Sequence, residues 1–193
     1  MKILSSNNKN FDKDIDNLLL QRKNRVQSNS VSVTSIIKDV KKNGDKALLK
    51  YEKKFNKNNI IVPTVNQISK SIKSLDKKVK EAIDLAYDRI HKFHSLQKFK
   101  NISYTDKLKN KLEYKYLPID SVAIYVPGST VSYPSSVLMN AIPAIVAGVK
   151  RIIMINPGFK GKQNSAVLYA ARKCKIKEIY SIGGPSAIAA SAY

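Results

Sequence analysis

The chain has 193 residues, 43% of them hydrophobic, which is enough for one sizeable core or for a helical subdomain joined to part of a second domain. No apolar run is long enough to span a membrane, no secretory signal opens the chain and the single cysteine, Cys174, excludes an internal disulfide, so we expect a cytoplasmic protein without a membrane partner. The formal net charge of +21 would attract nucleic acid nonspecifically, but the lysines are spread along the chain without a recognition motif, so no specific nucleic-acid partner is expected.

Residues 1–98 are predicted to form a helical region, because apolar residues recur there at spacings of three and four. After a first helix near Ile15, a pair of helices is expected to be separated at Asn43 and Gly44, where glycine suits a helix C-cap. Asp45 is then placed to cap the second helix of that pair. The apolar stripes of these helices contain Ile15, Leu18, Leu19, Ile37, Val40, Ala47, Leu48, Tyr51 and Phe55.

Two further helices are indicated within the same region. Thr64 and Gln67 have the spacing of a capping box, and Ser74 is interpreted as the start of the next, longer helix. Lysines occupy one face of that long helix and apolar residues the other, as expected for a helix packed on a core. The apolar residues of the two helices are Ile68, Ile72, Leu75, Val79, Ala82, Ile83, Ala86, Ile90 and Phe93.

Residues 99–121 are interpreted as a hairpin or linker between two larger regions. Leu112, Tyr114 and Tyr116 alternate with charged residues, which is the period of a β-strand. A hairpin that turns near Asn110 accounts for this alternation.

Residues 122–193 contain three short apolar runs, at 122–126, 151–155 and 178–182, and each is followed by a turn with proline or glycine. Apolar runs of this length indicate strands covered on both faces, and their alternation with helical segments predicts a parallel sheet. The expected fold class is therefore α/β, with a helical N-terminal region followed by an incomplete Rossmann-like parallel sheet.

Two of these turns are candidate ligand-binding segments: Pro127-Gly128-Ser129-Thr130 after the first strand and Gly183-Gly184-Pro185-Ser186 after the third. Ligands of open α/β sheets bind outside the carboxyl ends of the strands, where helix N-termini offer free N–H groups to phosphate. Neither turn has the spacing of the dinucleotide fingerprint or of a phosphate-binding loop, so ordinary tight turns remain the alternative.

The helix expected over residues 135–148 is apolar almost all round, which predicts that it is buried or lies in an interface. Pro143 lies in its interior and removes a backbone hydrogen bond, so we expect a kink or a break near Asn140. A tolerated bend and a functional kink are both compatible with this position.

No catalytic residue and no metal ligand can be assigned from the residues alone. His91 and His94 are three positions apart on a predicted helix, but two ligands do not make a zinc site, and surface or packing roles are the alternative. No serine is linked to a positioned base, and no pair of carboxylates is spaced for acid–base catalysis.

Several stretches together resemble one family, the histidinol dehydrogenases, over the N-terminal part of its sequences. The order and spacing of these stretches also fit the family, and the longest of them is highly specific. They are Phe93-His94-Ser95-Leu96-Gln97, Tyr125-Val126-Pro127-Gly128, the segment from Tyr133 to Ala144 (YPSSVLMNAIPA), and the segment from Glu178 to Gly184 (EIYSIGG) followed by Ala187-Ile188-Ala189-Ala190.

The resemblance implies an NAD- and zinc-dependent homodimeric enzyme that oxidises histidinol to histidine in two hydride transfers. It also implies that the catalytic acid–base pair and the zinc ligands would lie beyond residue 193, leaving part of the cofactor side. Tyr125 matches a family tyrosine that contacts NAD, although an aromatic residue packed at a strand end is the alternative. Gly128, Gly183 and Gly184, in the turns, complete the expected cofactor-binding set.

The sequence also departs from the family at several positions. Ser129 replaces a usual second glycine after Gly128, and Ser186 replaces a glutamine that contacts NAD, so cofactor contact is in question at both turns. Ala123 and Lys175 also stand where glycine is usual, and a helix C-terminus with positive φ is expected at the latter.

From the resemblance we expect an incomplete member of the family, which cannot turn over histidinol by itself. A homodimer or a separate C-terminal half would be its partner. The alternatives are a noncatalytic remnant, one half of a split enzyme, or a relative within the family that oxidises another alcohol with NAD.

Overall fold

The computed structural model describes residues 7–128, 133–158 and 162–193. Ser129 and Thr130 of the first candidate turn therefore lie outside the described residues. The elements, in chain order, are α1 (Phe11–Asn43), α2 (Asp45–Asn56), α3 (Val65–Lys73), α4 (Lys77–Ser95), β1 (Ile102–Thr105), β2 (Lys111–Tyr114), β3 (Ser121–Tyr125), α5 (Pro134–Ala147), β4 (Arg151–Ile155), α6 (Ser165–Lys173), β5 (Glu178–Tyr180) and α7 (Gly184–Ala192).

Helix α1 is one continuous helix, where the sequence predicted a short first helix and then the start of a second. It ends where predicted, because Gly44 has a φ of +54° and its N–H donates to Val40 O at 2.8 Å. Asp45 is the first residue of α2 and does not cap it, since Gly44 already holds the N-cap position. The acidic residue still lies favourably in the first turn of α2.

The two later helix starts illustrate one correct and one wrong prediction. The capping box of α3 is confirmed: Thr64 Oγ1 accepts the N–H of Gln67, and Gln67 Oε1 accepts the N–H of Thr64. The predicted start at Ser74 is wrong, because Ser74 closes α3 as its C-cap. Asp76 caps α4, since its carboxylate accepts the N–H groups of Lys78 and Val79.

Strands β1 and β2 form the predicted antiparallel hairpin, and Asp106 closes its turn by accepting two hydrogen bonds from Asn110. One face of the hairpin is apolar, because Ile102 lies opposite Tyr114 and Tyr104 lies opposite Leu112. All four of these side chains are more than half exposed. Nothing in the described residues therefore covers this apolar face.

The predicted parallel sheet is confirmed, with strand order β3-β4-β5. Strand β5 ends at Tyr180, two residues before the predicted end at Ile182. Beyond the strand, the N–H of Ser181 donates to Ile61 O, at 2.6 Å, in the segment after α2. The helical N-terminal region thus adds a backbone hydrogen bond at the carboxyl end of β5.

The sheet lies between two layers of helices. Ile124, Met154 and Ile179 face the side covered by α5 and α6, against which α3 and α4 also pack. On the opposite face, Ile155 packs with Leu48 of α2 and Ala187 of α7, and α1 packs outside them. The helical region and the sheet share their cores, and the division at residues 98 and 121 stays a prediction.

Helix α5 runs unbroken through Pro143, so of the predicted kink or break near Asn140 the break is absent and the kink stays a prediction. One side of the helix is fully buried against the sheet. This packing keeps the segment helical although proline lacks the N–H for one backbone hydrogen bond. The buried residues are Val137, Leu138, Ala141 and Ile142. Among the described helices, none combines the length and apolar character required to cross a membrane.

Candidate functional site

Three turns converge at the carboxyl end of the parallel sheet, and Pro157 lies at their centre. A Cβ added to Gly128 would lie 1.8 Å from Pro157 O, and one added to Gly183 would lie 2.7 Å from Pro157 Cβ. Both positions leave no space for a side chain, at Gly128 because the Pro157 backbone is too close and at Gly183 because the Pro157 ring is too close. The predicted residues Gly128 and Gly183 thus lie on either side of the turn that follows β4.

Gly184 is required for its backbone conformation, since its φ is +68° and a Cβ there would meet none of the described residues within 4 Å. Its N–H donates to the Tyr125 hydroxyl at 3.1 Å, so these two predicted residues meet although β4 separates their strands. Tyr125 is 36% exposed. The side chain is therefore partly exposed, its hydroxyl lies beside Gly184, and its contact with NAD stays a prediction.

A buried carboxylate from the helical region supports the same turn. Glu52 of α2 is 1% exposed, and its Oε1 accepts the N–H of Gly183 at 2.7 Å. Its Oε2 accepts Asn56 Nδ2, also at 2.7 Å. Burial raises the pKa of Glu52, and the hydrogen bonds from Gly183 and Asn56 oppose that rise.

Two buried asparagines tie the remaining loops to the strand ends. Asn58 donates through Nδ2 to Ile60 O at 2.8 Å and to Ser181 O at 2.7 Å, and its Oδ1 accepts the N–H of Ile60. Asn156 donates through Nδ2 to Val126 O at 3.0 Å. Both side chains are almost fully buried. These amides satisfy backbone carbonyls that the parallel sheet leaves open where its strands end.

Sequence patterns did not identify Glu52, Asn58 and Asn156 as residues of this site. Glu52 carried a signal, because it lies four residues after Leu48 on the buried stripe of its helix. Asn156 also carried one, since an Asn-Pro-Gly turn directly follows an apolar strand. Asn58 carried none, because its partner Ser181 is 123 residues away in the sequence.

The positions that depart from the family pattern have specific environments. Ser186 is 2% exposed, and its hydroxyl donates to Gly183 O at 3.1 Å, so it is held within the start of α7. Lys175 follows the C-cap of α6 and has the expected positive φ, +57°, where a residue with a Cβ is strained. Ala123 is partly buried on the face toward α2 and α7.

The two histidines do not converge on one site. His94 Nδ1 lies 2.6 Å from Gln97 Oε1, whereas the His91 ring stacks on Tyr87. Within residues 7–128, 133–158 and 162–193, no group of three or more His, Cys, Asp or Glu side chains could hold a metal ion. The described residues therefore do not fit a zinc site.

Comparison with known proteins identifies the family. The sequence model of the family described as histidinol dehydrogenase matches residues 19–193. The chain belongs to the histidinol dehydrogenase family. This confirms the resemblance drawn from the sequence motifs.

Similarity to individual histidinol dehydrogenases is high but covers only part of each. The chain is 81% identical over its full length to the histidinol dehydrogenase of Pelagibacter ubique, of which it covers 45%. It is 45% identical over 167 residues to that of Acinetobacter baylyi, covering 84% of this chain and 39% of the relative. The crystal structure of histidinol dehydrogenase from Elizabethkingia anophelis matches with a TM-score of 0.79 and 35% identity, over 83% of this chain and 38% of that one. The chain thus spans less than half the length of these relatives.

Proposed function

We propose that this chain forms an NAD-facing part of a histidinol dehydrogenase-type oxidoreductase of histidine biosynthesis. The observation that carries the proposal is the contact between Tyr125 and Gly184 at the carboxyl end of a parallel sheet. Ligands of open α/β sheets bind at this end, and the start of a helix there offers N–H donors to phosphate groups.

The residues at this edge fit a dinucleotide. Gly184 begins α7, so its N–H belongs to the helix end that favours negative charge, and a Cβ there would meet none of the described residues within 4 Å. A ligand oxygen can replace the Tyr125 hydroxyl as the acceptor, and the freed hydroxyl can then donate to the ligand. Bound NAD supplies the hydride acceptor, and the part of this chain is to bind and orient it.

We assign no catalytic residue and no zinc ligand to this chain. In the proposal, the chain alone does not turn over histidinol, and the full activity requires zinc and acid–base groups from elsewhere in a cytoplasmic assembly. A homodimer or a complementing C-terminal half would provide that assembly. The proposed role of the described residues is therefore to bind and orient the cofactor, and the chemical steps belong to the rest of the assembly.

Binding of NAD to the 193-residue chain tests the proposal directly. Tyr125→Ala should weaken NAD binding about tenfold, because it removes both the ring and the hydroxyl next to Gly184. Isothermal titration calorimetry at two salt concentrations measures this, since the net charge of +21 also attracts anions nonspecifically and that part falls with salt.

Tyr114→Ala is the matched control for this test. Tyr114 is a more exposed tyrosine on the hairpin, and its loss should leave NAD affinity unchanged. Equal affinities of the two variants, or NAD affinity that disappears at the higher salt concentration, would contradict the assignment of Tyr125.

Turnover of histidinol tests the second part of the proposal. The purified chain should form no NADH from histidinol, whereas coexpression with the part of the Pelagibacter ubique relative that it does not cover should restore NADH formation. A chain that is active alone contradicts the proposed division of the enzyme. A soluble complex without activity points instead to a noncatalytic remnant.

A further inference from the structure

Glu52 is a buried carboxylate that contacts the ligand-facing turn from behind. It belongs to α2 in the helical region, yet its closest backbone partner is the N–H of Gly183, 131 residues away in the sequence. We propose that Glu52 is a positioning residue, which holds the Gly183 N–H and thereby directs the Gly184 N–H and the start of α7 toward the ligand. This inference rests on the proposed NAD site at that edge.

The backbone geometry explains how one hydrogen bond can set the direction of the next. Gly183 is extended, with φ of −151° and ψ of 175°, so its N–H and that of Gly184 point to opposite sides of the chain. The N–H of Gly183 donates to Glu52 Oε1, and the N–H of Gly184 donates to the Tyr125 hydroxyl. Anchoring the Gly183 N–H fixes its own peptide plane, so the Gly184 N–H can then change direction only through the φ and ψ of Gly183.

The turn needs such an anchor because glycine by itself provides little restraint. Gly183 and Gly184 are consecutive, and glycine has more accessible backbone conformations than any other residue. Among the described residues, Glu52 provides the only side chain that accepts a hydrogen bond from the Gly183 N–H. Asn56 holds the other carboxylate oxygen, so the acceptor is itself fixed in place.

The chemistry of Glu52 suggests a pair of variants that separate positioning from bulk. Glu52→Met keeps the length of the side chain but removes both acceptors, which leaves the Gly183 N–H without its partner. Glu52→Gln keeps one acceptor for Gly183, and its new amide N–H₂ can donate to Asn56 once that amide turns over. Positioning should therefore be lost in Glu52→Met and retained in Glu52→Gln.

Two measurements on the full chain test the proposal. Nuclear magnetic resonance should show that both Gly183 and Gly184 amide signals shift in Glu52→Met, and that Glu52→Gln largely restores the Gly184 signal. NAD affinity should fall about tenfold in Glu52→Met and stay within about twofold in Glu52→Gln. Ile83→Val, at a buried position of α4 in the core on the other face of the sheet, is the control for general destabilisation and should leave both the Gly184 signal and NAD affinity unchanged.

The outcomes separate this inference from the proposed function. An unmoved Gly184 signal in Glu52→Met, or an equal loss of affinity in Ile83→Val, overturns the positioning role. If the wild-type chain does not bind NAD, the proposed function fails, while the amide signals still decide whether Glu52 orients the turn. If Glu52→Met does not fold, failure of Glu52→Gln to keep the wild-type Gly184 signal overturns the inference.

Discussion

Gly128→Ala should lower the free energy of unfolding of this chain by about 3 kcal/mol or more, because the new methyl group has no space. Its Cβ would lie 1.8 Å from Pro157 O and 2.9 Å from Pro157 C, and both of these are backbone atoms. Relief would require the turns after β3 and β4 to separate, although Asn156 ties them together through Val126 O. Urea denaturation followed by circular dichroism measures the change.

Gly148→Ala is the matched control for this prediction. Gly148 also has a demanding backbone, with φ of +92°, but a Cβ there would meet its nearest neighbour, Pro118 Cγ, at an ordinary 3.7 Å. The cost should therefore be the conformational strain alone, about 1 to 2 kcal/mol. If Gly128→Ala is no more destabilising than Gly148→Ala, the close approach of the two turns is incorrect.

Asn58→Asp should also cost about 3 kcal/mol or more at neutral pH, although the two side chains have the same shape. The amide Nδ2 donates to Ile60 O and Ser181 O, and the substitution places a carboxylate oxygen against these two acceptors. The site is 1% exposed, so solvent cannot screen the charge. Nothing else in the loop would be altered.

The sign of the pH dependence follows from the burial of the new carboxyl group. Its pKa in the folded state should be raised above the unfolded value of about 4, because only the protonated form can donate to these carbonyls. The stability of the variant should therefore be closest to that of the wild type below about pH 4. The variant should lose stability as the pH rises through the raised folded-state pKa. Urea denaturation of both proteins at pH 4 and pH 7 measures this difference.

An exposed asparagine provides the control for the charge itself. Asn101 is exposed and accepts the N–H of Tyr116 through Oδ1 at 2.9 Å, a bond that aspartate can also make. Asn101→Asp should change stability by no more than about 0.5 kcal/mol at either pH. A similar small change in Asn58→Asp would mean that Asn58 does not bridge the two loops.

The elements that sequence patterns predicted correctly depend on residues close together in the chain. The capping box needs only Thr64 and Gln67, and the end of α1 needs only a residue at Gly44 that tolerates positive φ. The three parallel strands follow from short apolar runs separated by helical segments, which is also a local signal. Their family assignment rested on motifs of the same kind.

The differences from the predictions have both distant and local sources. Pro143 does not interrupt α5, since the helix is packed into the sheet along its buried side, and there tertiary contacts outweigh a preference of the local chain. Strand β5 ends two residues early, where the Ser181 N–H donates to Ile61 O from a different predicted region. The start of α4 differs for a local reason, because Asp76 caps it and Ser74 does not.

The sequence by itself determined the α/β fold class, the parallel strands, the family, and the identity of Tyr125, Gly128, Gly183 and Gly184 as candidates, because each depends on local spacing or on recognisable motifs. Only the tertiary structure decided how these residues meet. Pro157 lies between two glycines, the Gly184 N–H is hydrogen-bonded to Tyr125 across a strand, and the Gly183 N–H is hydrogen-bonded to Glu52. Such contacts join residues up to 131 positions apart, and their formation depends on how the layers pack, which no local pattern specifies.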